Sequence, residues 1–212
     1  MSENFKKIIN EINNKNYKKA LQLCEGYSEK NDLYILNNLK GIIYINLNNI
    51  NEAIEQFKKS IKNKKDYIEA YSNLANAYFS NKNFSESIKI ITTALKYDQN
   101  NLKLNFNFAF FLSENHQYQK AIKQYHDTIK LGYNKEIILN NIGNIYIKEK
   151  NYLKAEEYFY ECLKISSSNY LTINNLIRSL ILKRDFSKAE KYKKKSDKLK
   201  LKNNIYYINK AE

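Results

Sequence analysis

A small residue recurs every 33 or 34 positions along this chain, and this spacing constrains the fold more than any other feature. An aromatic residue or isoleucine precedes each small residue by three positions. The small residues are Ala20, Ala53, Ser87, Ala121, Ala155 and Ala189, preceded by Tyr17, Ile50, Phe84, Tyr118, Tyr152 and Phe186. A fixed period of this length is typical of a solenoid, whose repeats stack on their neighbours and bury a continuous core. The sequence therefore predicts stacked repeats instead of one globular core.

Each repeat contains two apolar stripes with helical spacing. If the small residue is numbered position 20, apolar or small residues occupy positions 4, 7, 8 and 11, and then 20, 24 and 27, in the third and fifth repeats. Intervals of three and four residues place each set on one face of a helix. Each repeat is predicted to be two amphipathic helices joined by a polar turn. The turns read Asn48-Asn49, Lys82-Asn83 and Lys150-Asn151, where we expect asparagine to accept the left-handed backbone.

Two segments carry a family resemblance. Tyr71 to Tyr78, followed by Phe84 and Ser87, resembles the tetratricopeptide repeat family, as does Asn141 to Tyr146 followed by Tyr152 and Ala155. The resemblance implies an all-α, right-handed superhelical solenoid of about six helix-turn-helix repeats plus a C-terminal capping helix. The expected solenoid spans 1–201, and 202–212 would be a terminal helix or the start of a truncated seventh repeat. The expected repeats lie near 1–33, 34–67, 68–101, 102–135, 136–169 and 170–203.

The resemblance also implies where a partner would bind, because first helices line the concave face in this family. Position 6 carries an asparagine in four successive repeats, and position 9 adds further polar residues. The candidate peptide-binding residues are Asn73, Asn76, Asn107, Asn141, Asn144, Asn175 and Arg178. Asparagine amides both donate and accept hydrogen bonds, so such a ladder can hold the main chain of an extended peptide. The alternative is that these amides form hydrogen bonds between repeats.

Other residues of the expected groove narrow the kind of partner. The cationic residues of the family's carboxylate clamp are missing, which argues against recognition of a peptide C-terminus. Apolar side chains are frequent at groove positions, which favours a partner with aromatic or aliphatic anchors. These side chains are Ile35, Leu39, Ile42, Phe106 and Phe110.

The formal net charge is +14, and much of it lies near the C-terminus. Residues 183–210 hold eleven lysines and arginines against three acidic residues. Lys193, Lys194 and Lys195 are the candidate polyanion contact, with Tyr192, Tyr206 and Tyr207 nearby to stack on bases. The alternatives are a solvated helix end or a compositional bias toward Lys, Asn, Ile and Tyr.

Catalytic chemistry is not expected. His116 and His126 are not at metal-ligand spacing, and the chain has no glycine-rich phosphate loop, so we predict no enzyme activity, cofactor or metal. Cys24 and Cys162 fall in different repeats, which predicts reduced thiols and a cytoplasmic protein. No apolar stretch is long enough for a transmembrane segment.

These observations predict a non-enzymatic scaffold that binds a protein or peptide partner in its groove. One alternative is an adaptor that binds RNA or an acidic surface through the basic C-terminal segment. Another is a structural repeat piece of a larger protein. The identity of the partner does not follow from the fold.

Overall fold

The computed structural model describes the backbone of residues 3–27 and 32–208, with side chains through residue 199. Twelve α-helices and no strands occur within these ranges. The helices are α1 (Glu3–Asn13), α2 (Tyr17–Glu25), α3 (Leu33–Asn46), α4 (Ile50–Asn63), α5 (Ile68–Ser80), α6 (Phe84–Leu95), α7 (Leu102–Glu114), α8 (Tyr118–Lys130), α9 (Lys135–Lys148), α10 (Tyr152–Ile165), α11 (Tyr170–Leu182) and α12 (Phe186–Ile208). The predicted all-α helix-pair repeat is confirmed.

The chain divides into two compact units, an N-terminal unit (Met1–Gln117) and a C-terminal unit (Tyr118–Glu212). Within each unit, every helix packs against the next one in the chain. The first helices of neighbouring repeats also contact one another, α1 with α3 and α3 with α5 in the N-terminal unit and α9 with α11 in the C-terminal unit. First helices therefore lie side by side within a unit, as stacked repeats require.

The small residues lie where two helices approach closely. All six residues at position 20 are buried. At position 8, Gly41 lies against the ring of Phe57, and Gly143 lies against Phe159. A Cβ on Gly143 would be 2.5 Å from Phe159 Cε1, a distance that real Cβ atoms do not show. The small residues at these positions therefore allow the two helices of a repeat to pack closely.

The turns inside the repeats differ from our expectation in one respect. In the Asn48-Asn49 turn, Asn48 is left-handed with φ of 62°, as expected, whereas in the other two turns the left-handed residue is the lysine before the asparagine, with φ of 58° at Lys82 and 59° at Lys150. Asn83 and Asn151 instead cap the following helices, and their side chains accept from the backbone N–H of Glu86 and Lys154. Asparagine is a strong N-cap because its side-chain oxygen pairs with an otherwise free N–H, so capping determines its place in these turns.

The last repeat ends in a long helix. We predicted a terminal helix or the start of a truncated seventh repeat over 202–212, and in the structure residues 202–208 continue α12 without a break, since no glycine or proline interrupts it. The side chains of Tyr206 and Tyr207 and all of residues 209–212 lie outside the described part. Positions 24 and 27 of this repeat are polar: Lys193 is exposed, whereas Ser196 is buried and donates to Asn174 Oδ1 at 3.0 Å.

Candidate functional site

The first helices of the N-terminal unit form two adjoining depressions. One, of about 230 Å³, is lined by the apolar residues Ile42, Ile45 and Ala77 and by the amides Asn73 and Asn76. The second, of about 380 Å³, shares Ile42 and Asn73 with the first. The structure thus brings two of the predicted peptide-binding asparagines together beside a space that can receive an apolar side chain. Leu39, which we predicted to line the groove, is buried in the core instead.

Aromatic side chains extend this face toward α7. The ring centroids of Phe79 and Phe110 are 5.2 Å apart, and Phe110 is only half-buried. Phe106, one turn before Phe110 on the same helix, is also half-buried. Partly exposed rings of this kind are typical anchor points for a partner's apolar side chains.

Two of the position 6 asparagines are already used inside the protein. Asn73 Nδ2 donates to Asn38 Oδ1 at 2.9 Å in the N-terminal unit. Asn175 Nδ2 donates to Asn140 Oδ1 at 3.0 Å in the C-terminal unit. In both pairs, the acceptor is a buried asparagine at position 5 of the preceding repeat. These hydrogen bonds link neighbouring first helices, so part of the predicted ladder holds repeats together.

The other two position 6 asparagines are not linked in this way. Asn141 donates to the carbonyl of Ile137 in its own helix at 3.0 Å. Asn107 lies 35 residues after Ser72, whose hydroxyl has no hydrogen-bond partner. Asn107 and Asn141 are both partly exposed. The pattern of repeated asparagines therefore includes two structural residues and two whose amides do not join repeats.

In the C-terminal unit, Asn144 is partly exposed on α9 and Arg178 is exposed on α11. The sequence analysis missed the apolar residues on α11. Leu171 is 61% exposed, Ile181 49% and Leu182 44%. They occupy positions 2, 12 and 13, which are groove positions in this family, and this numbering is the signal that could have found them. The face of α11 therefore combines a cation with exposed apolar contacts.

The basic residues of α12 do not all share one side. Lys191, Lys194, Lys195 and Lys198 line an open depression of about 670 Å³, which we call the α12 lysine face. Lys193 is two residues from Lys191 and Lys195, which places it roughly 200° around the helix axis. Of the predicted contact residues, Lys194 and Lys195 thus lie together, while Lys193 is separated from them.

Salt bridges neutralise only part of this face. Lys194 Nζ is 3.0 Å from Glu190 Oε1, and its hydrogen bond holds the pKa of that carboxyl below its usual value. Lys191, Lys195 and Lys198 have no carboxylate partner within the described part of the chain. Three ammonium groups of the α12 lysine face therefore remain available to an external anion.

The thiols and titratable groups do not form a reactive centre. Both cysteines are free and buried, and burial raises the pKa of Cys24 to about 11. Burial also raises the pKa of Cys162, which lies 3.2 Å from the Thr172 hydroxyl. Thiols with raised pKa values stay protonated at neutral pH and are poor nucleophiles. Among the residues that the structure describes, no three His, Cys, Asp or Glu side chains are placed to hold a metal ion. None of the described helices has the length and apolar character needed to cross a bilayer.

Solved structures share this fold at low sequence identity. A tetratricopeptide repeat protein from Parabacteroides merdae has a TM-score of 0.80 at 12% identity, over 91% of this chain and 77% of the other. MamA from Desulfovibrio magneticus RS-1 has a TM-score of 0.69 at 15% identity, over 81% of this chain and 97% of the other. A chain of the APC/C hetero-tetramer Cut9-Hcn1 has a TM-score of 0.63 at 17% identity, over 78% of this chain and 33% of the other. No curated sequence is significantly similar to this chain.

Family models match the sequence directly. A model described as TPR repeat matches residues 41–82. Three models described as tetratricopeptide repeat match residues 68–101, 90–123 and 137–169. The matches fall on both units and agree with the twelve-helix arrangement of paired helices. The chain belongs to the tetratricopeptide repeat family.

Proposed function

We propose that the protein is a non-enzymatic scaffold that binds an extended segment of a protein partner across its first helices. The observation that carries the proposal is the depression where Asn73 and Asn76 adjoin Ile42, Ile45 and Ala77. The lining amides can bond a peptide main chain, and the apolar lining residues can receive a side chain. The Cut9-Hcn1 structure, by its description, is an assembly of different chains, which supports a role in protein association for this fold. The buried free thiols support a reducing, cytoplasmic setting.

Asparagines that do not link repeats provide the direct test. Asn107→Ala combined with Asn141→Ala removes two partly exposed amides without breaking an inter-repeat hydrogen bond. We expect the double variant to weaken peptide binding by roughly 1–3 kcal/mol, the scale of two neutral hydrogen bonds. The probe is a set of peptides selected by the parent protein from a random display library, with affinities measured by calorimetry.

The matched control is Asn51→Ala, which removes an exposed asparagine from the second helix α4. This variant should bind the selected peptides like the parent. If the Asn107 and Asn141 double variant also binds them with parental affinity, these amides do not contact the partner. If the parent selects no peptide at all, the scaffold proposal itself is wrong.

The α12 lysine face supports a second candidate function, the binding of a polyanion. The specific observation is that Lys191, Lys195 and Lys198 share one face and have no acidic partner among the described residues. Such a surface binds phosphates by releasing counterions, so the logarithm of the association constant for a fluorescent oligouridine should fall linearly with the logarithm of salt concentration. Reversing Lys191, Lys195 and Lys198 to glutamate should flatten this salt dependence.

Lys193→Glu is the matched control for that experiment, because Lys193 carries the same charge on another side of α12. The triple reversal should weaken the free energy of RNA binding by much more than three times the loss caused by Lys193→Glu. Equal effects per charge would mean that only net charge matters. Absence of RNA binding at low salt would leave these lysines as a solvated helix surface.

A further inference from the structure

Two equivalent positions in the molecule contain a buried carboxamide between first helices. Asn38 lies between α3 and α5 and accepts from Asn73, and Asn140 lies between α9 and α11 and accepts from Asn175. Each donor follows its acceptor by 35 residues, and the acceptors are 4% and 8% exposed. Position 5 of one repeat and position 6 of the next thus form a slot that a carboxamide fills.

The third repeat lacks this carboxamide. Ser72 occupies the same position as Asn38 and Asn140, and its side chain ends at the hydroxyl. Ser72 is 4% exposed, and its Oγ has no hydrogen-bond partner. A buried hydroxyl without a partner is costly, because it has lost water without gaining another bond. Asn107, the residue 35 positions later, is therefore not joined to the preceding repeat through Ser72.

A cavity lies at this position. Ser72 is one of the residues that line the depression of about 380 Å³, together with the linked pair Asn38 and Asn73. Glu69 and Lys103 stand on the same depression with opposite charges. Neither sign dominates, so the site favours a neutral group that both donates and accepts hydrogen bonds over an anion or a cation.

We propose that this junction is a subsite for a carboxamide of the bound partner, and this inference rests on the proposed peptide-binding function. The partner's amide takes the place of the missing asparagine side chain. Its carbonyl accepts from the Ser72 hydroxyl, and its N–H groups are available to the neighbouring asparagine oxygens. The chemistry follows from the protein itself, which places a carboxamide in the corresponding slot at Asn38 and Asn140.

Ser72→Asn tests the subsite, because it fills the slot with the protein's own carboxamide. We expect this variant to unfold at a higher temperature than the parent and to bind the selected peptides at least about tenfold more weakly, a factor within the range of one lost hydrogen bond. Ser72→Ala fits wherever serine fits, and it should weaken binding about threefold to tenfold by removing the hydroxyl alone. Ser85→Asn makes the same serine-to-asparagine change at an exposed position on α6 and should leave both properties unchanged.

Variants of the peptide identify the source of the carboxamide. If the peptide keeps its affinity for the parent when each Asn and Gln is replaced by Ala, the group is a main-chain peptide bond. N-methylation at one bond should then reproduce the loss of affinity expected for Ser72→Asn. If one Asn or Gln replacement reproduces it, the group is a side chain. In both cases, the peptide change that weakens binding to the parent should cause little further loss of affinity for the Ser72→Asn variant.

The outcomes separate this inference from the proposed function. If Ser72→Asn and Ser72→Ala both bind like the parent while Asn107→Ala with Asn141→Ala weakens binding, the peptide binds the first helices but the cavity takes no partner group. This result overturns the subsite alone. If the parent selects no peptide, the proposed function fails and the subsite fails with it.

Discussion

The third repeat and the fifth repeat fill the same space with different side chains. In the fifth repeat, Gly143 at position 8 lies against the ring of Phe159 at position 24, and the second repeat does the same with Gly41 and Phe57. The third repeat has Ala75 at position 8 and Ile91 at position 24, both fully buried in one cluster. A larger residue at one position thus accompanies a smaller one at the other. The comparison teaches that the third repeat and the fifth repeat reach a similar summed volume at these two positions with different residues.

The same two repeats also differ where neighbouring first helices meet. The fifth repeat contributes Asn140 to a link with Asn175, whereas the third contributes Ser72, which has no partner. Core packing is therefore satisfied in both repeats, while polar pairing is complete in only one. Incomplete pairing at a surface depression is what makes the third repeat the candidate for ligand contact.

The largest expected effect comes from breaking the volume relation. Gly143→Ala adds a methyl group 2.5 Å from Phe159 Cε1, and we expect the free energy of unfolding to fall by about 1–3 kcal/mol through overpacking. Urea unfolding monitored by circular dichroism measures this change. Adding Phe159→Ile recreates the Ala75 and Ile91 pair and should recover much of the loss. A single variant as stable as the parent would show that the ring moves aside freely.

A smaller effect is expected from breaking the polar link. Asn73→Ala leaves the buried Asn38 oxygen without its donor, so the free energy of unfolding should fall by about 1–2 kcal/mol. Asn107→Ala is the matched control, because no link to Ser72 exists there, and it should cost less than about 0.5 kcal/mol. Equal losses at the two sites in the same unfolding assay would mean that the hydrogen bond between Asn73 and Asn38 adds no stability.

The smallest effect is expected at the turns. Lys82 has φ of 58° and Asn48 has φ of 62°, so both adopt the left-handed conformation. Glycine adopts it without steric cost, and lysine tolerates it less well than asparagine. Lys82→Gly should therefore raise the free energy of unfolding by up to about 1 kcal/mol, and Asn48→Gly should change it less. If thermal melting shows the larger gain for Asn48→Gly, the backbone argument is wrong.

Much of the fold could be predicted because the pattern is local and repeated. Apolar and small residues at fixed offsets located the helix pairs, and the residues at position 20 are buried as expected. Residues 202–208, predicted as part of a terminal helix or of a truncated seventh repeat, continue α12. The sequence there resembles a new first helix, but helical continuity depends on the absence of a breaker, and residues 186–208 contain no glycine or proline.

The candidate site was less predictable, because one asparagine looks like another in a sequence. The 34-residue spacing placed Asn73, Asn107, Asn141 and Asn175 at one register position. It did not distinguish Asn73, which bonds Asn38, from Asn107, which has no such link. Position 5 holds the residue that makes the difference, because some repeats have asparagine there and others have serine or phenylalanine. The sequence alone does not show that position 5 meets position 6 of the next repeat across neighbouring helices.

The sequence by itself determined the repeat, its helical register and its family, because helical periodicity and side-chain volume act through short, regular spacings. Only the tertiary structure decided which amides join repeats and which remain available. Helices stack with a stagger that brings residues 35 apart into hydrogen-bonding distance, one more than the repeat length. A hydrogen bond forms only at a specific distance and direction between two atoms, and those depend on packing between helices that the period of a single chain does not encode.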